Sequence, residues 1–333
     1  MRDHATKKII RSACASLLLT AFFLSFAVRS VDAAQFRIQS RDLIIDQGDR
    51  TLQIDNPFQR IISLYGAHTE NLFSLGAAAE IIGVSSHEVY PPRALQKPVY
   101  SYHDDPEKFL AAGADLVIIR PMIDRGYPQL FRRLEKSGIT VVSLQPATID
   151  ELYTYWEILG LLTGRRQRAL QLIDHFRNAS QRLQLLTDAV AVKKRVYFEA
   201  IHKRMKTFSP DSMAIFTLKA AGGINVAADA KPVRQTNIAV YGKERILARA
   251  AEIDVYLAQY GAMNMPTIGM IKKEPGFHAI KAIQDNEIYI IDEHIVSRPT
   301  LRLLDGIFEI GKILYPDRFN EDASTVVRKA KQF

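Results

Sequence analysis

Cysteine is nearly absent from this chain of 333 residues. Its single Cys14 leaves no disulfide framework and no cysteine-based zinc site. Long apolar runs are scarce too. Beyond Val28 no stretch reaches the ~18 apolar residues that span a bilayer, which excludes a multi-pass membrane protein. The common signatures of nucleotide and hydrolase chemistry are missing: no G-x-x-x-x-G-K-[ST], no G-x-G-x-x-G after a strand pattern, no G-x-S-x-G and no H-E-x-x-H. The eight histidines are scattered, and nothing pairs a nucleophile with a base, so the residues give no positive sign of an enzyme or of a metal centre. No dense Lys/Arg stripe with interleaved aromatics is present, which argues against nucleic acid as a partner.

What remains is an ordinary globular balance, with 47% hydrophobic and 24% charged residues and a net charge of +8. A chain of this length defaults to two lobes. Its start reads as an export signal. Arg2, Lys7, Lys8 and Arg11 precede an uncharged run from Ala13 to Val28, and Val31-Asp32-Ala33 offers small residues for cleavage after Ala33. Cys14 stands before the apolar core, where no lipid-anchor signal would put it, and no Arg-Arg pair precedes the core. The expectation is a soluble protein of the periplasm, freed from residues 1–33, lacking cysteine and carrying a mild charge of +5.

The remainder alternates strand and helix patterns. Leu43–Ile45 and Thr51–Ile54 flank a Gln47-Gly48-Asp49 turn and predict a β-hairpin within residues 34–58. Residues 59–149 alternate short apolar strands (Ile61–Leu64, Ile81–Val84, Asp115–Ile119, Thr140–Leu144) with helices, the pattern of a parallel sheet covered on both faces. Residues 150–190 run as helix, with Gly160 and Gly164 as the possible breaks. The alternation resumes over 191–320, and 321–333 form a tail. The fold expected is α/β: two lobes, each a mostly parallel sheet flanked by helices, joined by a long rigid helix.

In open parallel sheets ligands bind beyond the carboxyl ends of the strands. Tyr65, His87, Arg120, His202, Tyr260 and His294 follow strands in this way, and Arg298 lies a little further on. If the lobes face one another these groups meet in a cleft, with guanidiniums, imidazoles and aromatic faces suited to an anionic or metal-chelate ligand. Any one of them could instead be surface or satisfied structure. Trp156 falls in the helical connector and reads as packing.

The order of several segments adds a resemblance. Arg60 to Ala78, with Thr69-Glu70-Asn71-Leu72 at its centre, is followed by Ile82-Gly83-Val84, Asp105-Pro106-Glu107, Asp115-Leu116-Val117, Leu159-Gly160…Thr163-Gly164 and Ala221-Gly222-Gly223-Ile224-Asn225. This succession resembles the ABC-transporter substrate-binding proteins of the ferric-siderophore, haem and cobalamin type, over about residues 43–320. The resemblance implies a ligand held between two lobes and delivered to a membrane permease with its ATPase by a monomer. It implies no catalysis, no resident cofactor and no bound metal other than that of the transported complex. It also implies one permease-docking carboxylate per lobe, Glu70 and Glu244, where exposed acids meet arginines. The chain departs from the family's first loop, having Leu64-Tyr65-Gly66-Ala67-His68 where S-P-S is usual. Arg120, Arg298, Tyr65, Tyr102 and Tyr260 would suit a ferric siderophore, the first expectation. Cobalamin or haem comes next, haem with Tyr65, His202 or His294 as axial candidates. An oxyanion of the molybdate kind, or an extracytoplasmic sensor or enzyme domain, is the alternative.

Overall fold

The structure, a computed structural model, describes residues 36–233 and 236–332. The expected signal segment and Cys14 lie outside the described residues.

Three strands open the described chain: β1 (Arg37–Ser40), β2 (Leu43–Ile45) and β3 (Thr51–Gln53), an antiparallel meander. The turn between β2 and β3 is tied down. Asp46 accepts the backbone N–H groups of Gly48 and Arg50, and its second oxygen accepts Ser143 N–H.

Lobe one is a five-stranded sheet of β4 (Ile61–Ser63), β5 (Ile81–Ser85), β6 (Val99–Tyr100), β7 (Leu116–Ile119) and β8 (Thr140–Ser143), in the order β6-β5-β4-β7-β8 and parallel throughout. β4 and β7 are buried along their whole length, as their unbroken apolar runs require. Their side chains alternate between two cores. Ile61, Leu116 and Ile118 point into a central core, and Ile62, Val117 and Ile119 into an outer one with Phe109 and Phe131.

The helical run 150–190 is two helices. The first, α1 (Ile149–Leu162), opens on Thr148, whose hydroxyl accepts Glu151 N–H while Glu151 accepts Ala147 N–H. The break falls at Thr163–Arg165, where Gly164 adopts φ +68 against Pro57, a conformation that glycine alone adopts at little cost. The second, α2 (Arg166–Leu185), is about 30 Å long at 1.5 Å per residue. At its start Arg168 bonds Ser74 O of lobe one, and just past its end Thr187 packs on Gly222 of lobe two. It is the helix that reaches from one lobe to the other.

Lobe two is a seven-stranded mixed sheet. Its parallel part is β9 (Arg195–Ile201), β14 (Val255–Tyr260) and β15 (Ile288–Asp292), with β11 (Ile224–Asn225) parallel to β9. The antiparallel part is β10 (Lys206–Phe208), β12 (Lys231–Pro232) and β13 (Ile238–Val240). These last strands are two or three residues long, too short to leave a pattern in the sequence. One core cluster runs from lobe one (Ile61, Leu116) through Trp156 and Phe176 to lobe two (Val196, Phe198, Leu257). The two lobes therefore share one continuous core.

Candidate ligand-binding cleft

The chain leaves β4 extended at Tyr65 (φ −155°, ψ 130°) and turns into the helix Gly66–Ser74. It leaves β7 at Arg120, also extended, and turns into the helix Pro121–Gly126. β4 and β7 are neighbours in the sheet, so the two residues meet. The Arg120 guanidinium lies 4.4 Å from the Tyr65 ring centroid. Arg298 arrives from lobe two. A Cβ placed on Gly66 would come 2.7 Å from Arg298 Nη1 and 3.4 Å from Glu88 Oε2, so Arg298 and Glu88 flank Gly66. Glu293, on the same lobe-two segment, packs over Gly261.

These groups share one field. Burial raises the pKa of Tyr65; Arg120 and Arg298 act against that rise, and Glu293 and Glu70 add to it. Burial also raises Glu88, opposed by hydrogen bonds from Ser85 and Thr69 and by the charge of Arg298. Arg120 Nε, Arg298 Nη1 and Glu88 Oε2 are buried without a hydrogen-bond partner in the protein. Buried polar atoms are nearly always paired, so three unpaired ones beside Tyr65 and Gly66 are unusual.

Of the eight expected ligand residues, the structure brings Tyr65, Arg120 and Arg298 together. His202 is a correction to the expectation that it faces the cleft. It is buried, with Nδ1 2.8 Å from Glu199 Oε2, and Glu199 also accepts the Tyr256 hydroxyl at 2.5 Å. The Glu199 bond raises the pKa of His202. Tyr102 packs on His103 and Tyr127 with centroids 4.5 and 4.6 Å away, at the end of the edge strand β6. His294 bonds Asp292 at 2.6 Å. His87 and Tyr260 are exposed at strand ends.

Glu70 is the second correction. It is no exposed acid awaiting a permease. Its two oxygens accept Arg302 Nε at 2.7 Å and Nη2 at 2.8 Å, and its side chain is only 3% exposed. The pair joins lobe one to the segment that leaves lobe two. Beside it Asn71 Nδ2 donates to Pro299 O at 2.9 Å, and Trp156 Nε1 donates to Asn71 Oδ1 at 2.9 Å. His68 completes this polar layer. Its Nε2–H donates to Ile119 O and its Nδ1 accepts the Tyr155 hydroxyl at 2.7 Å, and burial lowers its pKa to about 3. Trp156 therefore does more than pack. Glu244 is exposed in the first turn of the helix Lys243–Ala248. Glu107 is 66% exposed in the first turn of Pro106–Ala111 and pairs with Arg133 at 2.8 Å.

Sequence reasoning missed Glu88, Glu70–Arg302 and the Asn71 network. Glu88 could have been found, since it follows β5 directly after Ser85 and His87. The other two join residues more than 220 positions apart, and no local pattern signals that.

Similarity to known proteins follows this architecture. A B. subtilis (strain 168) protein described as an uncharacterized ABC transporter substrate-binding lipoprotein YvrC is 23% identical over 317 residues, 92% of this chain and 98% of that protein. A vitamin B12-binding protein of Vibrio cholerae is 25% identical over 259 residues, 76% of this chain and 88% of that protein. A solved structure of a possible iron-binding (periplasmic solute-binding) protein from Staphylococcus epidermidis superposes with a TM-score of 0.69 at 26% identity, covering 78% of this chain and all of that one. Each is a solute-binding protein by description, and none is an enzyme. The profile of the family described as periplasmic binding protein matches residues 61–295, and the chain belongs to that family.

Proposed function

We propose that this protein is the solute-binding component of an ABC importer. Freed from its signal near Ala33, it captures a metal chelate between its lobes as a monomer and hands it to a membrane permease and its ATPase. The chelate, of the ferric-siderophore, cobalamin or haem kind, is cargo rather than a resident cofactor. The observation that carries this reading is the convergence of Arg120 and Arg298, from opposite lobes, on Tyr65. Two guanidiniums there supply forked donors to an anionic or acceptor-rich ligand, and the Tyr65 face supplies a flat contact. The B12-binding and possible iron-binding relatives support the same class.

Docking falls to exposed acids on each lobe. Glu244 keeps that role and Glu107 takes the place expected for Glu70. Their helices start at the carboxyl edge of each sheet, after β6 and β13, the edge that also carries Tyr65 and Arg120.

The test titrates the mature protein with cyanocobalamin, ferrioxamine B and haemin by calorimetry. One of them is expected to bind one-to-one without turnover. Arg120→Ala and Arg298→Ala should each weaken it ~10–100-fold, the worth of a charge-assisted hydrogen bond, with unchanged melting temperature. Undiminished affinity in both variants refutes the placement of the ligand.

A further inference from the structure

Resting on that reading of the function, we propose that the turn bearing Met263 and Met265 is an apolar lip of the cleft on lobe two, and that it selects a flat macrocyclic chelate, a tetrapyrrole, over a linear hydroxamate. β14 ends at Tyr260, and the chain folds at once into a tight turn. Gly261 N–H donates to Asn264 O at 2.8 Å, and Asn264 N–H donates back to Gly261 O at 3.1 Å. Asn264 is buried and fastens the turn from within. Its Nδ2 donates to Gln259 O at 2.8 Å and to Glu199 Oε1 at 3.3 Å, and its Oδ1 accepts His202 N–H at 3.0 Å. Pro266 is buried as well. Met263 and Met265 alternate with these two and are 61% and 67% exposed. Two thioethers are thus held out to solvent by a backbone that is pinned between them.

The turn lies beside the cleft. A Cβ on Gly261 would fall on the Glu293 carboxylate, so the turn packs directly against Glu293. The charge of Glu293 acts on Tyr65, and Arg298 follows on the same segment to reach Gly66. Lobe one carries a counterpart. Val89 and Tyr90, both exposed, come directly after Glu88, which flanks Gly66 from that side. Exposed apolar side chains therefore border the cleft on both lobes, which argues for an occupant with apolar surface of its own. Methionine suits a broad, shallow contact, being unbranched, adaptable and favourable against conjugated rings. A tetrapyrrole brings a flat ring with an apolar edge, and polar side groups at its rim for the guanidiniums. A linear ferric hydroxamate shows mostly polar oxygens and amides, and ferrioxamine B adds an ammonium that the arginines repel.

The experiment titrates cyanocobalamin, haemin and ferrioxamine B into the mature wild-type protein, Met263→Ser/Met265→Ser and Met263→Leu/Met265→Leu. The wild type is expected to bind one of the two tetrapyrroles at least ~10-fold more tightly than ferrioxamine B. The serine pair should weaken that tetrapyrrole ~10–100-fold, through the apolar contact of two thioethers that it removes. The leucine pair keeps the apolar volume and should stay within ~3-fold of wild type. Both positions are exposed, so all three proteins should melt together. Ferrioxamine B as the tightest probe overturns the selectivity and leaves the transport reading standing. Wild-type tetrapyrrole affinity in the serine pair overturns the lip, and a loss of uptake in cells at that affinity would assign the turn to the permease instead. Equal loss in the serine and leucine pairs overturns the apolar contact as well. Binding of none of the three probes overturns the chelate reading and the lip together.

Discussion

Removing either member of the Glu70–Arg302 pair should cost far more than a surface ion pair would. The two bonds, at 2.7 and 2.8 Å, are a parallel fork, and the side chains are 3% and 13% exposed. Breaking a buried pair from one side leaves a desolvated charge, worth ~3–5 kcal/mol. At the ~2 °C per kcal/mol of larger domains, that is a fall of ~6–10 °C in melting temperature. The two halves are not equivalent. Arg302 also lies 4.7 Å from the Tyr90 ring centroid, which supports the guanidinium when Glu70 is gone. Glu70→Ala should therefore sit at the low end of the range and Arg302→Ala at the high end. The double variant Glu70→Leu/Arg302→Met should recover most of the loss, because it strands no charge. Glu70→Arg places two guanidiniums in one buried site and should unfold at the lowest temperature of the series. Urea melts in low and high salt are the assay, since a buried pair is little screened. Single variants costing under ~1 kcal/mol, or a double variant costing the sum of its singles, would refute the reasoning.

Other outcomes follow from the same geometry. Trp156→Phe removes the donor to Asn71 Oδ1 and should cost ~1–3 kcal/mol, read by denaturant titration, whereas an effect within error would return Trp156 to a packing role. His68 has a folded pKa of about 3 against 6.5 unfolded, so the unfolded chain takes up its proton first. Its stability contribution is present above pH 6.5 and lost as pH falls towards 3, by an amount on the order of 4 kcal/mol; calorimetric scans of wild type against His68→Asn should show the acid slope flatten in the variant. His202 runs the other way: its raised pKa gives stability that is full below 6.5 and fades as pH climbs through the folded value, and His202→Gln should abolish that fade. Glu107→Arg and Glu244→Arg should block uptake in cells while ligand affinity in solution stays at wild type, and normal transport by the double variant would end their docking role.

The strand ends were the most legible part of the molecule. Apolar runs such as Leu116–Ile119 mark buried parallel strands, and a polar residue at once beyond such a run stands at the sheet's carboxyl edge, which is how Tyr65 and Arg120 were found. The same rule placed His202 at a strand end correctly and misjudged its surroundings. Glu199 lies three residues earlier on the same strand, and Tyr256 on the neighbouring strand turns its hydroxyl to that carboxylate. A strand's period shows which face a side chain takes, but what covers that face belongs to other segments. Glu70 is the sharper case. Its position in the first helix of lobe one reads equally as a docking acid and as a helix-start acid, and only its partner decides.

By itself, then, the sequence determined the alternation of elements, the two lobes, the helical connector and the carboxyl edge that carries Tyr65 and Arg120, because periodicity and turn chemistry act within a few residues. The tertiary structure alone decided that Arg298 crosses to Gly66, that Glu70 locks to Arg302 and that Asn71 bonds Pro299. Those contacts span more than 220 residues, and their energies depend on burial and on opposite charge brought within 3 Å, which no stretch of one chain segment encodes.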